Sequence, residues 1–455
     1  MRKWLILLII SLSSVFAQNW IIEPVDSNGV VYDCSIAVDA MNYPHIAYCY
    51  RQDLGGNWFS YWVKYAQWNG IAWDFQPVET TTAFNRGGPI FISVKLRLDN
   101  QNHPHIAYIK DSVPFKYAYH NGDSWQISPI ESCSALLING IDMVLSEAGI
   151  PHISYSFIDF NNSTHGVRYA FKNGDSWIIR TVWTENRTQN TAIDLDRSGF
   201  PVIALADIPS NDTGHLYCAR FNGQKWRIDT VHWMTNQDYQ YSVFSIKVSG
   251  PDRIHIFYKR SYGVFHAVSQ GDSWAIEFID INGLFEAGGD MILDGDKPNV
   301  VYSSVEDLLT FAYKVDTLWN YEIIEPREAG LYPSIVRDNR ENLHVSYVYP
   351  FYSVANDCLF YARKNSPAIA GKEVRSMAEL KALIEIYPNP AKSFFVIRCP
   401  LPVKEIEIFD VSGKLIREIT LMGTGQEIKI PLKGINPGIY FLQLGKETKK
   451  FIVAK

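Results

Sequence analysis

A unit of about fifty residues returns seven times along this chain, and no other feature limits the possible folds so tightly. In its second copy the unit runs Lys95-Leu96-Arg97-Leu98-Asp99, Pro104-His105-Ile106-Ala107-Tyr108, Phe115-Lys116-Tyr117-Ala118, then Asn121-Gly122-Asp123-Ser124-Trp125-Gln126-Ile127. Each piece is a short β-branched and aromatic run or the turn entering one, so the unit reads as four antiparallel strands. The second piece recurs as Pro44-His45-Ile46-Ala47-Tyr48, Pro151-His152-Ile153-Ser154-Tyr155, Pro201-Val202-Ile203-Ala204, Ile254-His255-Ile256-Phe257-Tyr258, Pro298-Asn299-Val300-Val301-Tyr302 and Leu343-His344-Val345-Ser346-Tyr347. Tryptophans at 20, 73, 125, 177, 226, 274 and 319 keep the same count, their spacing shrinking from 53 to 45 residues. Four strands per repeat at this period predict the blades of a β-propeller. A parallel β-helix has far shorter coils, and one unit of four short strands cannot bury a sandwich core of its own.

The ends of the repeat array predict how the ring closes. The seventh unit stops at Leu359-Phe360-Tyr361-Ala362-Arg363-Lys364-Asn365 without its tryptophan strand, whereas Asn19-Trp20-Ile21-Ile22-Glu23-Pro24 stands alone at the front and matches Trp319-Asn320-Tyr321-Glu322-Ile323-Ile324-Glu325-Pro326. An open ring leaves unpaired strand edges, so the first strand is expected to complete the last blade. The fold class is therefore all-β: a seven-bladed β-propeller over residues 18–365, followed by a linker over 366–381 and a small β-sandwich over 382–455.

Composition fits this reading and excludes some partners. The chain has 455 residues, 47% of them hydrophobic and 14% aromatic, with 13 Trp and 26 Tyr, enough for sheets stacked face to face. A net charge of −6 without a polybasic run argues against nucleic acid and against anionic lipid. Arg2 and Lys3 precede an apolar run ending near Ala17, which predicts a signal peptide over 1–17 and a mature chain from Gln18. That run is too short for a membrane span, and no later stretch is long enough, so no transmembrane segment is expected. Among six cysteines, Cys34 and Cys49 are placed to face each other across the first hairpin and are the expected pair, while Cys133, Cys218, Cys358 and Cys399 read as buried small hydrophobes. No Cys/His cluster has zinc spacing, and no metal or cofactor is expected.

The tail carries the address. Phe394 to Arg398, Glu405 to Phe409, Lys414 to Ile419, Glu427 to Ile430 and Ile439 to Leu444 are strand-like runs divided by turns, as in a small sandwich. The motifs Ile384-Glu385-Ile386-Tyr387-Pro388-Asn389-Pro390-Ala391, Ile406-Glu407-Ile408-Phe409-Asp410-Val411-Ser412-Gly413-Lys414, Gly434-Ile435-Asn436-Pro437-Gly438-Ile439-Tyr440-Phe441 and Lys449-Lys450-Phe451-Ile452-Val453-Ala454-Lys455 occur in that order. This segment closely resembles the type A C-terminal sorting domain of proteins exported by the type IX secretion system of Bacteroidetes-like bacteria. The resemblance implies recognition by the type IX export machinery and a secreted or outer-cell-surface location.

Several residue patterns in the propeller invite a functional reading. His45, His105, His152, His255 and His344 suggest a metal or acid–base cluster, but they occupy the same strand position in different blades, which a ring holds apart. Asp39, Asp99 and Asp338 each lie six residues before one of these histidines, so the reading is a side-chain bond stiffening each hairpin. The Asn-Gly-Asp-Ser-Trp turns differ in order from the Asp-box of sialidase-like propellers, and Asn-Gly predicts a type I′ hairpin. Asp194-Leu195-Asp196-Arg197-Ser198-Gly199 lacks the full oxygen series of a calcium loop.

Connections of two kinds, first-to-second and third-to-fourth strand, are short and repetitive; the other two kinds vary and share one face of a propeller. On that face the candidate ligand-binding residues are Trp58, Phe59, Phe157, Phe160, Tyr239, Tyr241, Phe351 and Tyr352. Aromatic rings beside Asn and Asp suit sugar rings; the competing reading makes the same rings core at the blade ends. The expected role is an exported binding protein for a glycan or a protein. A propeller glycoside hydrolase or polysaccharide lyase and a structural or adhesive surface protein are the alternatives, and no set of catalytic residues is recognisable in the sequence.

Overall fold

The computed structural model describes residues 20–365 apart from 85–90, 111–114, 132–135, 209–213, 234–240, 252, 261–262, 282–287, 305–307, 326–329 and 350–357. In the tail it describes 385–454 apart from 388, 399–404, 412–413, 421–426 and 445–446. The expected signal peptide, the linker, Cys133 and Cys399 lie outside the described residues. The chain divides into two compact units at Ser366/Pro367.

The first unit contains seven four-stranded antiparallel sheets. Six are built from consecutive strands, covering residues 30–84, 91–131, 136–183, 187–233, 241–281 and 289–325; we call these blades 1 to 6. The seventh takes three strands from 331–364 and its outermost strand, Trp20–Asp26, from the start of the chain. That strand pairs antiparallel with Cys358–Lys364, from Trp20 opposite Lys364 to Asp26 opposite Leu359, as the orphan repeat piece predicts. The innermost strands touch one another in cyclic order, the last returning to the first, so the unit is a closed propeller.

Each second strand is apolar on both faces because blades cover it on both sides; Ile106, Ala107 and Tyr108 are fully buried. The innermost strands present one edge of backbone N–H groups toward the ring axis, and the preceding blade supplies acceptors for part of it. Asp33 accepts from the Val94 N–H at 2.9 Å, Asp142 from Ile193 at 3.0 Å, Asp194 from Val248 at 2.8 Å and Asp290 from Ile335 at 3.1 Å. These carboxylates near the axis are engaged in holding blade to blade.

The short-turn end carries a second repeated device. Asp39, Asp99, Asp196 and Asp338 each accept two backbone N–H groups of their own turn, for example those of Gln101 and His103 at 2.8 Å. In three blades the other carboxylate oxygen approaches the predicted histidine: Asp39–His45 3.4 Å, Asp99–His105 3.5 Å and Asp338–His344 3.2 Å. Nδ1 of these rings meets a third-strand tyrosine hydroxyl, at 2.6 Å for His105–Tyr117 and His344–Tyr361 and closer still for His45–Tyr65. The same tyrosines receive the edge of the next blade's repeat tryptophan, as in Tyr65–Trp125, Tyr117–Trp177 and Tyr361–Trp73, with ring centroids 5.3–5.5 Å apart. The histidines are buried links in a chain from turn to neighbouring blade, which is the hairpin-stiffening role read from their spacing.

Two expectations need correction. Cys34 and Cys49 are both free thiols. The register that runs unbroken from Val38 opposite Pro44 sets Cys34 opposite Tyr48 and Cys49 opposite Asp33, so the two side chains leave opposite faces of the sheet and join different core clusters. The Asn-Gly-Asp-Ser turns are not type I′. Gly122 has φ +99° and Gly174 φ +60°, but the following Asp123 and Asp175 do not take positive φ; in the two-residue turn between Asn173 and Ser176 this is the type II′ pattern. Asn121 Oδ1 locks its turn by accepting from the N–H groups of Asp123 and Ser124 at 3.0 Å.

The second unit holds a three-stranded sheet, Glu385–Tyr387, Phe394–Arg398 and Glu427–Pro431, and a four-stranded sheet in the order Leu415–Thr420, Glu405–Asp410, Gly438–Leu444, Glu447–Val453. Phe395, Ile397, Ile406, Ile408, Leu442 and Phe451 are buried between them, as in a sandwich. All five predicted strands are present; Glu385–Tyr387 and Glu447–Val453 are additional.

Candidate ligand-binding face

The variable connections lie at the end of the propeller opposite the Asp turns, and here too a repeat rule fixes most side chains. The second-strand tyrosine of one blade bonds to the residue six positions after the repeat tryptophan on the outermost strand of the blade before it. Tyr48 donates to Asp26 at 2.8 Å, Tyr302 to Asp280 at 2.9 Å and Tyr347 to Glu325 at 3.2 Å. Tyr108 and Tyr155 donate to Glu79 and Glu131 over short contacts, and Tyr258 meets His232 Nδ1 at 2.7 Å. In the first three blades a base on the third strand closes the set: Lys64 on Asp26, Lys116 on Glu79 and Arg168 on Glu131. Burial, reinforced by the neighbouring carboxylates, raises the pKa values of Tyr48 and Tyr155 well above the ordinary phenol value, so these hydroxyls stay protonated as donors. These acid–tyrosine–base sets are seam structure.

The predicted aromatic residues separate against this background. Phe157 is 2% exposed, packed in the core between blades with the Arg168 guanidinium 3.9 Å over its ring. It is core, the competing reading of these rings. Phe160 is exposed at the tip of the hairpin in blade 3. Tyr241 opens the first strand of blade 5, and its side chain is outside the described set, as are Tyr239, Phe351 and Tyr352.

Trp58 and Phe59 sit on the most prominent element of the face. Three strands of blade 1, Pro44–Gly55, Trp58–Trp68 and Trp73–Phe84, run to 12, 11 and 12 residues. Together they form a flap whose tip is a tight hairpin, Gly55 opposite Trp58. Gly56 at φ +61° and Asn57 at φ +64° make this the type I′ turn, where both central residues need positive φ.

Alternation along the strands then sorts the flap's side chains. Trp58 lies opposite Phe84, Ser60 opposite Gln52 and Thr82, and Trp62 opposite Tyr50 and Thr80, all on one face. Trp58 and Phe84 are 48% and 57% exposed with ring centroids 5.3 Å apart. Phe59 points to the other face, half-buried under the Arg51 guanidinium, which lies 5.0 Å from its centroid. The sequence reading thus found one member of the pair and missed Phe84. Its signal was the length of the run Trp73 to Phe84, which outlasts the outer strand of every other blade.

What the face can do chemically follows from this list. It offers an open double-ring platform continued by a row of hydroxyl and amide side chains. Among the described residues no group of three His, Cys, Asp or Glu is arranged to hold a metal ion. Nor, among them, is any helix long and apolar enough to cross a membrane.

Comparison with known proteins concerns the two units separately. Residues 385–455 match the family described as the secretion system C-terminal sorting domain. The tail is a type IX sorting domain. It addresses the chain for export, to the cell surface or the medium, and the export machinery is its partner. No curated protein matches the chain. Among solved structures, a protein of unknown function from Dyadobacter fermentans is 10% identical with TM-score 0.43, covering 76% of this chain and 99% of its own. The Aleuria aurantia lectin, in complex with Fucα1-6GlcNAc, is 12% identical with TM-score 0.43 (66% and 97% covered). AofleA from Arthrobotrys oligospora is 11% identical, also with TM-score 0.43 (68% and 90% covered). Likeness at this level carries no information about ligand, and the propeller rests on its own strand topology.

Proposed function

We propose that the exported propeller is a carbohydrate-binding protein of the cell surface or medium, and that it takes glycan on the flap of blade 1. The observation that carries this reading is the Trp58–Phe84 pair, two large rings held half in solvent at the end of a rigid three-stranded element. Exposed apolar rings cost solubility, so an exported protein that keeps a pair of them at its tip has a use for them. Pyranose rings present a flat C–H face that fits such a platform, and their hydroxyls suit the exposed Gln52, Thr80 and Thr82 beside it.

The mature chain passed over immobilised polysaccharides, with retention and released product both recorded, tests this. Retention without product, reduced at least tenfold by Trp58→Ala with Phe84→Ala, supports the proposal. Release of oligosaccharide makes the propeller an enzyme. Retention indifferent to both substitutions moves the site elsewhere, and a chain that retains nothing is left without the glycan role.

A further inference from the structure

One seam breaks the rule that the others keep. Between blades 3 and 4 the acid position is Trp183 and the second-strand tyrosine position is Leu205, so the acid–tyrosine bond is missing. The base position holds Tyr217, whose ring lies 4.5 Å from that of Trp183. In place of the ion set stands an aromatic stack that continues outward: Tyr217 to His215 at 5.4 Å and His215 to Trp233 at 4.5 Å, the last pair edge to face.

The inner part of this stack is core, since Trp183 packs against Leu205 and Ile193. Its outer end is not. Trp233 is 71% exposed, though it pairs in register with His215 and is held by that ring.

Beneath it lies a polar group arranged around Asp207, whose residue is entirely buried. Asp207 accepts the His215 backbone N–H at 2.6 Å and the Asn186 side-chain amide at 2.8 Å. His215 Nδ1 stands 3.7 Å from the carboxylate, and among the described residues neither it nor Trp183 Nε1 has a hydrogen-bond partner. At this seam a buried carboxylate that holds the Asn186 amide and the His215 backbone N–H stands where other seams have the tyrosine bond and its added base, and it lies beside an exposed indole. Departures from a repeat's local rule, when they assemble a pre-oriented polar group under an open ring, mark binding sites.

We infer that the seam between blades 3 and 4 is a second carbohydrate subsite on the same face, with Trp233 as its stacking platform and Asn186 and His215 as its polar contacts, positioned by Asp207. The inference rests on the glycan reading of that face and adds a site separate from the flap. Two subsites on one molecule raise retention on a polymeric glycan well beyond that of either alone.

The experiment uses the mature chain in four forms: unaltered, Trp233→Ala, the flap variant Trp58→Ala/Phe84→Ala, and all three substitutions together. Probes are cello-, chito- and manno-oligosaccharides in solution, read by saturation-transfer NMR, and the corresponding polysaccharides immobilised. Unchanged circular dichroism and melting temperature show that the exposed Trp233 is removed without unfolding, and Asn186→Ala provides a second variant of the polar contact. The expected result is residual oligosaccharide binding by the flap variant that Trp233→Ala abolishes and Asn186→Ala weakens, with at least tenfold lower retention of Trp233→Ala alone on the polymer. Binding lost completely with the flap overturns this inference and leaves the flap reading standing. Residual binding that ignores Trp233 also overturns it. Residual binding that requires Trp233, in a chain whose flap variant matches the unaltered protein, supports the seam site and removes the flap. No binding in any form overturns both.

Discussion

His105 shows how a residue that invites catalytic interpretation is used up by structure. Its ring is buried, with Asp99 at one nitrogen and the Tyr117 hydroxyl at the other. Tyr117→Phe strands Nδ1 in an apolar surround, and urea denaturation is expected to show a loss of about 1–3 kcal/mol. The histidines also set a pH window. Burial lowers His105, His152 and His255 from 6.5 to about 4, and lowers His45, His266 and His344 in the same direction. Between those values the unfolded chain binds protons that the folded chain refuses. Their contribution to stability is therefore complete above pH 6.5 and is lost as pH falls toward 4. Asp33 and Asp194, raised by burial, act in the opposite sense from pH 3.8 upward. Melting temperature is expected to fall steadily from pH 6.5 to 4; a flat profile excludes buried neutral histidines.

At the scale of the element, the decisive piece is the strand Trp20–Asp26. Its pairing with Cys358–Lys364 joins residues more than three hundred positions apart, and Trp20 Nε1 donates to Glu322 Oε2 at 3.1 Å in blade 6. Asp26 also supplies the acid that Tyr48 and Lys64 of blade 1 require. Deleting residues 20–26 removes a full strand of ladder bonds and exposes the edge of Cys358–Lys364. The expected outcome is a lower melting temperature together with oligomers in size-exclusion chromatography, since free edges pair with other chains. A monomer of unchanged stability shows that the ring does not depend on this closure.

The molecule as a whole joins a propeller to an address. Removing residues 385–455 is expected to abolish delivery to the surface and medium in a bacterium with a type IX system, with the chain retained inside. Appending the same residues to a periplasmic reporter is expected to export it. Fractionation with immunoblotting reads both, and continued export of the truncated chain would refute the tail's role. On the propeller, the three seam devices at the axis, the short-turn end and the variable end show where polar residues are already engaged. Function is then sought where a device fails or an element outgrows its copies.

Much of this was legible in the sequence because repetition makes local patterns visible. The period of the tryptophans, the orphan first strand and the Asp-to-His spacing of six each report a nearest-neighbour geometry that recurs, and strand existence follows from such local signals. Face assignment does not. The register carried back from the first hairpin's turn puts Cys34 and Cys49 on opposite faces as two free thiols, and one step along the flap put Trp58 in solvent while Phe59 turned the other way. Phe84 lies twenty-six residues from Trp58 and meets it only through strand register. The stack from Trp183 to Trp233 takes its members from the ends of three separate strands. The sequence by itself determined the architecture and the export address, because both are written in contiguous runs. Tertiary structure alone decided which aromatic rings are core and which are open, because that depends on register and on the blade alongside, and side-chain type carries neither.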